Sequence, residues 1–323
     1  MPSGVLKSRI SLFKCIYIYF TATLILFECL FCDILILRSF PVKVYEVLAA
    51  TGKQNNQSYI TRNKMLGRVK EIWAYRFMVA SLVRRELRGR YKGSFLGFLW
   101  TFVNPLAQII VYTIVFSVIM RSDLDKFYIF AITGMIPWLA FDGAMRLGVT
   151  CIKDRGDMIN KIYFPREVLP IANVTTNFVN MLFCFVIVFL ALFISGHGVN
   201  PLSLLFLPII ILIEYILTLG LTFIVSAVTV YFKDMQHILN VIMMMWIYLT
   251  PVLYPITIIP DKLAWLFKLN PMTFVIETYH CILYWKGIPS INMLGYSSAA
   301  AIVAFLVGAL VFYKLEPNFA EEL

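Results

Sequence analysis

Residues 157–195 read DMINKIYFPREVLPIANVTTNFVNMLFCFVIVFLALFIS. From Val168 to Ser195 this stretch holds no Asp, Glu, Lys or Arg. That run exceeds the ~20 apolar residues a helix needs to cross a bilayer core. Just before it stand Asp157, Lys161, Arg166 and Glu167, with Pro165 and Pro170 as punctuation. A membrane span entered from a polar, proline-marked connector is the pattern that decides the fold. The rest of the chain agrees, with 60% hydrophobic residues and a mean hydropathy of +0.81. Soluble domains sit at roughly 45–50% apolar content, so lipid is the solvent for much of this surface.

Working outward with the same length criterion gives six spans, near 95–120, 127–149, 168–195, 203–230, 237–256 and 291–313. The sequence thus predicts an all-α integral membrane protein. The connectors at 121–126 and 196–202 are short, while those at 150–167 and 257–290 can hold structure of their own. Lys and Arg fix the orientation. Ten lie within 62–92, and Arg146, Lys153, Arg155, Lys161, Arg166, Lys233 and Lys314 fall on the same side. Those 17 outweigh the five on the other side, Arg121, Lys126, Lys262, Lys268 and Lys286. Both ends of the six-span unit are therefore expected in the cytoplasm. The net charge of +10 hugs the spans, and no nucleic-acid partner is expected.

The chain divides into an N-terminal extension (1–61), a basic segment (62–92) and a six-helix unit (93–323). Within 62–92, Leu66, Val69, Trp73, Phe77, Ala80, Val83 and Leu87 recur every three or four positions. That spacing predicts one amphipathic helix lying in the cytoplasmic interface. Gly89 and Gly93 are turn-competent positions beyond it. In the extension, 15–37 is apolar but carries Glu28 and Asp33, and spanning would place Lys7, Arg9 and Lys14 outside. An anchor, a signal-like segment and a start nearer Met65 all remain open, the last being favoured.

Polar residues inside the spans form two rows. Trp100, Asn104, Gln108 and Tyr112 follow strict i, i+4 spacing, and Asn173, Asn177 and Asn180 share a face of the third span with Thr176. Buried amides either bond between helices or line a path. An amide-and-ring lining would suit sugars. Glu214 lies deep in the fourth span, where packing is favoured over transport as its role. After the fifth span, Pro251, Pro255, Pro260, Pro271 and Pro289 predict short helices re-entering the outer leaflet, with interfacial Tyr and Trp between them. Cys29 and Cys32 form a C-x-x-C in apolar surroundings, read as packing. Asp123 and Asp125 form a D-x-D on the outer side, the wrong side for cytoplasmic sugar nucleotides. No phosphate loop, H-E-x-x-H or G-x-S-x-G occurs, so neither a metal site nor an enzyme active site is expected.

Six stretches in order resemble the membrane-spanning permease subunits of type-2 ABC exporters for bacterial surface polysaccharide. They are RRELRGRYKGSFLGFLWTFVNPL (84–106), GMIPWLAFDGAM (134–145), NKIYFPREVLPIA (160–172), YFKDMQHIL (231–239), LTPVLYP (249–255) and LNPMTFVIE (269–277). The resemblance covers about 75–323. It implies export of lipid-linked O-antigen, capsule or teichoic-acid chains across the inner membrane. It further implies a homodimer of this chain docked on two ATP-hydrolysing subunits, which hold the ATP and Mg. No cofactor is expected on this chain. The resemblance makes 150–167 a coupling connector, with Asp154, Asp157, Met158, Lys161, Phe164 and Arg166 touching the ATPase and Lys233 and Asp234 as a second contact. Two positions depart from the family pattern. Lys233 replaces a usual arginine and lacks its bidentate fork, and His280 stands where arginine is common. A small-molecule exporter of the same fold is the alternative, and a membrane glycosyltransferase or acyltransferase is a weaker one.

Overall fold

A computed structural model describes residues 65–120 and 124–322. The 15–37 segment, the Cys29/Cys32 pair and Asp123 lie outside the described residues. Thirteen α-helices and no strand occur among the described residues, in keeping with the all-α reading.

The expected amphipathic helix forms as two pieces, α1 (Met65–Ala74) and α2 (Arg76–Tyr91). Tyr75 interrupts them with φ −89° and ψ 11°. The break re-aims the apolar stripe. Ala80 and Val83 are buried and α2 packs along the third span, whereas Trp73 and Phe77 stay exposed. Gly89 is helical, and the turn is made instead by Gly93 and Gly97, at φ +82° and +49°. Those angles suit glycine because no Cβ meets the backbone.

Helix α3 (Trp100–Thr113) continues as a wide π turn to Ile119. It is followed by α4 (Phe127–Thr150), α5 (Gly156–Lys161), α6 (Val168–Ile194), α7 (Pro201–Leu204) and α8 (Leu207–Tyr231). Then come α9 (Met235–Trp246), α10 (Ala264–Leu269), α11 (Pro271–Tyr279, running on as a π turn to Tyr284), α12 (Ile291–Leu315) and α13 (Phe319–Glu322). Five helical stretches are long and apolar enough to cross a membrane: Gly97–Ile119, Phe127–Thr150, Val168–Ile194, Pro201–Tyr231 and Ile291–Asn318.

The fifth span expected from sequence, 237–256, is not a continuous helix. Its helix α9 has 12 residues, about 18 Å at 1.5 Å per residue, and turns carry the chain on to Pro255. Pro251 and Pro255 cannot donate the amide hydrogens a helix needs. The freed backbone groups find partners inside the protein, as membrane depth requires. Asn270 donates to the Leu249 carbonyl at 2.9 Å and to the Thr250 hydroxyl at 2.8 Å. Its Oδ1 accepts from Trp246 Nε1 at 2.9 Å and from the Met272 amide at 3.0 Å. One side chain thus caps α11 and closes the broken end of α9.

Helix α4 is the hub. It packs against α3, α6, α8, α9 and α11, and nearly all of its residues from Phe127 to Met145 are buried or half-buried. The tightest crossing is α8 on α12. A Cβ added to Gly308 would overlap the Gly220 carbonyl, so the two backbones meet there without side chains. The proline-broken segment forms the short helices α10 and α11, and α11 is buried against α4, α8 and α12. Two spanning helices are covered least, α3 and α12, with 11% and 17% of their apolar windows buried.

Candidate functional site: the basic-end connector and the exposed face of α3

The connector between α4 and α6 lies at the end of the bundle that carries the Lys and Arg excess. After Thr150 it makes a tight turn at Lys153–Arg155 and the short helix α5. Ile162 then goes extended, at φ −134° and ψ 133°. Pro165 disfavours helix at the residue before it, so α5 cannot run into α6. Pro170 falls in the first turn of α6, where an amide hydrogen would have no helical partner anyway.

Of the residues expected on the connector surface, Asp154, Asp157 and Lys161 are exposed, and Met158 and Arg166 are half-buried. Phe164 is not on the surface: it is 4% exposed and belongs to the core. The ring expected to meet a partner is turned inward, because its backbone leads directly into the buried start of α6. The exposed apolar groups of the connector are its neighbours Ile162 and Tyr163. Lys233 and Asp234 are exposed in the turn between α8 and α9.

Three sets of contacts fasten the connector to other elements. Arg155 pairs with Glu86 of α2 at 2.8 Å. Tyr163 donates to Glu71 of α1 at 3.3 Å. Arg68 of α1 reaches Glu167 and Glu316, both at 2.6 Å, and lies over the Tyr313 ring. Arg166 donates to the Glu316 carbonyl and lies over Phe319. Helix α1, the connector and the end of α12 therefore share one ion-paired cluster, and Arg155–Glu86 ties α2 to the connector separately. Beside it is a cavity of about 410 Å³, bordered by Arg68, Glu71, Ile159, Tyr163, Glu167 and Glu316. Burial, then the nearby Glu316 carboxylate, raises the Glu167 carboxyl above its ordinary range, although Arg68 pulls the other way.

The two polar rows do not face each other. On α3, Trp100, Asn104 and Gln108 are exposed and Tyr112 is half-buried. On α6, Asn173 and Asn177 are buried and fully engaged. Asn173 donates to the Ala144 carbonyl at 2.8 Å. Asn177 donates to the Asn173 carbonyl at 2.9 Å and accepts from Arg90 of α2 at 3.1 Å. Gly143 and Gly148 of α4 leave room for these amides, since added Cβ atoms would meet Asn177 Oδ1 at 2.9 Å and Asn173 Nδ2 at 3.2 Å. In this arrangement Asn173 and Asn177 brace α2, α4 and α6. Asn180, near the middle of α6, is half-buried.

Other polar groups were less visible in the sequence. Arg146 donates Nε to both Asp142 oxygens at 2.8 Å and Nη1 to Asn240 of α9 at 2.9 Å. The i, i+4 spacing of Asp142 and Arg146 was the available signal, but nothing local points to Asn240. Glu214 is fully buried and accepts from the Tyr279 hydroxyl at 2.6 Å, which fastens α8 to α11. His280 is also fully buried and stacks on Phe130 at 3.9 Å. It fits only because position 134 is glycine, whose added Cβ would meet His280 Nε2 at 2.5 Å. No group of three or more His, Cys, Asp or Glu that could hold a metal occurs among the described residues.

Comparison with known proteins gives a consistent result. Residues 78–284 match the family described as ABC-2 type transporter. The chain is 36% identical to the O-antigen export system permease protein RfbA of Myxococcus xanthus, over 80% of this chain and 100% of that protein. It is 30% identical to an O-antigen export system permease protein RfbA of Klebsiella pneumoniae, over 76% of this chain and 95% of that one. It is 24% identical to the polysialic acid transport protein KpsM of Escherichia coli, over 74% of this chain and 93% of that protein.

Proposed function

The chain belongs to the ABC-2 type transporter family, and from that premise we propose that it is the permease subunit of an ATP-driven exporter of lipid-linked polysaccharide. It works as a multi-pass protein of the bacterial inner membrane. Its relatives are named for O-antigen and capsule-type polysaccharide export, which favours a glycan cargo over a small molecule. The observation that carries the mechanism is the connector, an exposed charged surface fastened to α1 and α2 by ion pairs and to the end of α12 by the Arg166 hydrogen bond.

In this reading ATP and Mg reside on a separate ATP-binding subunit, and this chain performs no hydrolysis. Closure of that subunit pushes on Asp154, Asp157 and Lys161, with Ile162 and Tyr163 supplying apolar contact. Lys233 and Asp234 take a second, smaller contact. Phe164 acts differently. Buried at the start of α6, it carries the push into the helix bundle. A second copy of this chain covers α3, whose exposed Asn104 and Gln108 are costly against lipid tails. Between the copies, those amides and Trp100 line a path suited to hydroxyl-rich chains.

The test is charge reversal on the exposed connector. Asp157→Lys with Lys161→Glu should abolish surface polysaccharide in cells while the permease still inserts at the normal level. Undiminished export by that double variant would sink the coupling assignment.

A further inference from the structure

Helix α9 rises directly from the Lys233–Asp234 turn, yet little holds it to the bundle. It packs chiefly on α4 and less on α8. Of its residues only Leu239 and Met243 are buried, one turn apart on a single seam. Ile238, Val241 and Met244 are exposed on its other sides. The upper end is well fixed, since Asn270 accepts from Trp246 Nε1 and donates to the Leu249 carbonyl. There the Trp246 ring also meets Phe141 of α4 edge-on, with centroids 5.4 Å apart. The lower end depends on a polar contact, Asn240 Oδ1 accepting from Arg146 Nη1 of α4 at 2.9 Å.

Asp142 aims that guanidinium. Both of its oxygens accept from Arg146 Nε at 2.8 Å, and the i, i+4 spacing forms the pair within α4. With Nε held there, Nη1 is directed across to α9. Asp142, Arg146 and Asn240 are all half-buried, so the bond is neither dispersed in bulk water nor locked in the core. A hydrogen bond to a charged group is of a size that a bound partner can make and break. Asn240 lies about 9 Å along the helix from Asp234, at 1.5 Å per residue. A force on the Lys233–Asp234 turn therefore acts close to this bond and far from Asn270.

We propose that Arg146 and Asn240 are positioning residues for export, a latch that holds the foot of α9 against α4 and opens when the ATP-binding partner moves the Lys233–Asp234 turn. The latch rests on the permease reading and deepens it, by giving the second, smaller contact an output. Asn270 is the pivot, and the exposed sides of α9 leave its foot free of packing within this chain. Asp142 keeps Arg146 paired while the latch is open, so no lone charge is left beside the spans.

The test uses the full-length permease with its ATP-binding subunit, reading ATP hydrolysis in proteoliposomes and surface polysaccharide in cells, each relative to wild type. Asn240→Leu keeps the bulk and removes the acceptor. It should hydrolyse ATP at least as fast as wild type while export falls roughly tenfold, the scale of one hydrogen bond to a charged group. Asn240→Ala, which cannot accept either, should match it. Asn240→Asp tightens the latch, giving Arg146 a second carboxylate as Arg68 has in Glu167 and Glu316. It should slow hydrolysis and export together, leaving their ratio within twofold of wild type. Hydrolysis and export falling in proportion in the Leu and Ala variants overturns the latch, because a merely structural loss lowers both. So does an Asp variant as fast as wild type in both readings. A wild-type permease that binds no ATP-binding subunit would instead defeat the permease reading itself.

Discussion

Single residues decide how closely this bundle packs. At the α8–α12 crossing, Gly220 and Gly308 let two backbones touch, and any Cβ at 308 must push them apart. Close approach through small residues is how membrane helices gain packing energy without a hydrophobic drive. Gly308→Ala should therefore cost about 1–3 kcal/mol, the usual range for overpacking, read as a lowered Tm in detergent. An unchanged Tm would mean the crossing yields more easily than its geometry implies. The sequence allowed the polarity of individual positions to be read, but not their partners. Asn173 and Asn177 could be placed on one face of α6 from spacing alone. That the face meets Gly143, Gly148 and Arg90 is a long-range fact, since Arg90 lies 87 residues from Asn177. Glu214 was likewise conspicuous, while its partner Tyr279 comes from a broken segment 65 residues away.

Among the elements, hydropathy found five of the spanning stretches to within a few residues, because a run of apolar residues in lipid has few alternatives to helix. It says less where composition and backbone disagree. The 237–256 window is apolar enough to span, yet Pro251 and Pro255 end α9 early. Hydropathy averages cannot weigh a missing amide hydrogen. The 62–92 periodicity predicted one helix, and the described residues form two, because Tyr75 divides them and leaves Trp73 and Phe77 exposed. The break after α9 depends on Asn270, whose side chain serves four partners. Asn270→Ala would leave the half-buried Trp246 indole and the Leu249 carbonyl without that partner, at about 0.5–1.5 kcal/mol for each bond lost. Thermal unfolding and the yield of folded protein should both drop. Asn270→Asp keeps the acceptor and should show only part of the loss, which separates capping from mere bulk.

At the scale of the molecule, the unevenness of burial is informative. α4 is enclosed, while α3 is the least covered of the spans and carries its amides outward. A polar stripe on an outer helix is a cost for a lone chain in lipid and an asset when a second copy closes over it. Asn104→Ala with Gln108→Ala should reduce polysaccharide export about tenfold, given roughly 1 kcal/mol or less for each amide contact with cargo, with insertion unaffected. Export at wild-type rate would remove those side chains from the path. Which helix would be exposed could not be read beforehand, since hydropathy cannot distinguish lipid-facing from protein-facing apolar surface.

The fastening of Glu316 has one more consequence. Helix α12 has 25 residues, about 38 Å long at 1.5 Å per residue, in a hydrocarbon layer of about 30 Å. A helix that exceeds the layer tilts, and its tilt follows the thickness of the surrounding lipid. Glu316 sits one position beyond α12 and holds both Arg68 and Arg166. Thicker or thinner lipid therefore shifts the anchor of the connector through its far attachment. Membrane thickness thereby becomes an input to the position of the connector.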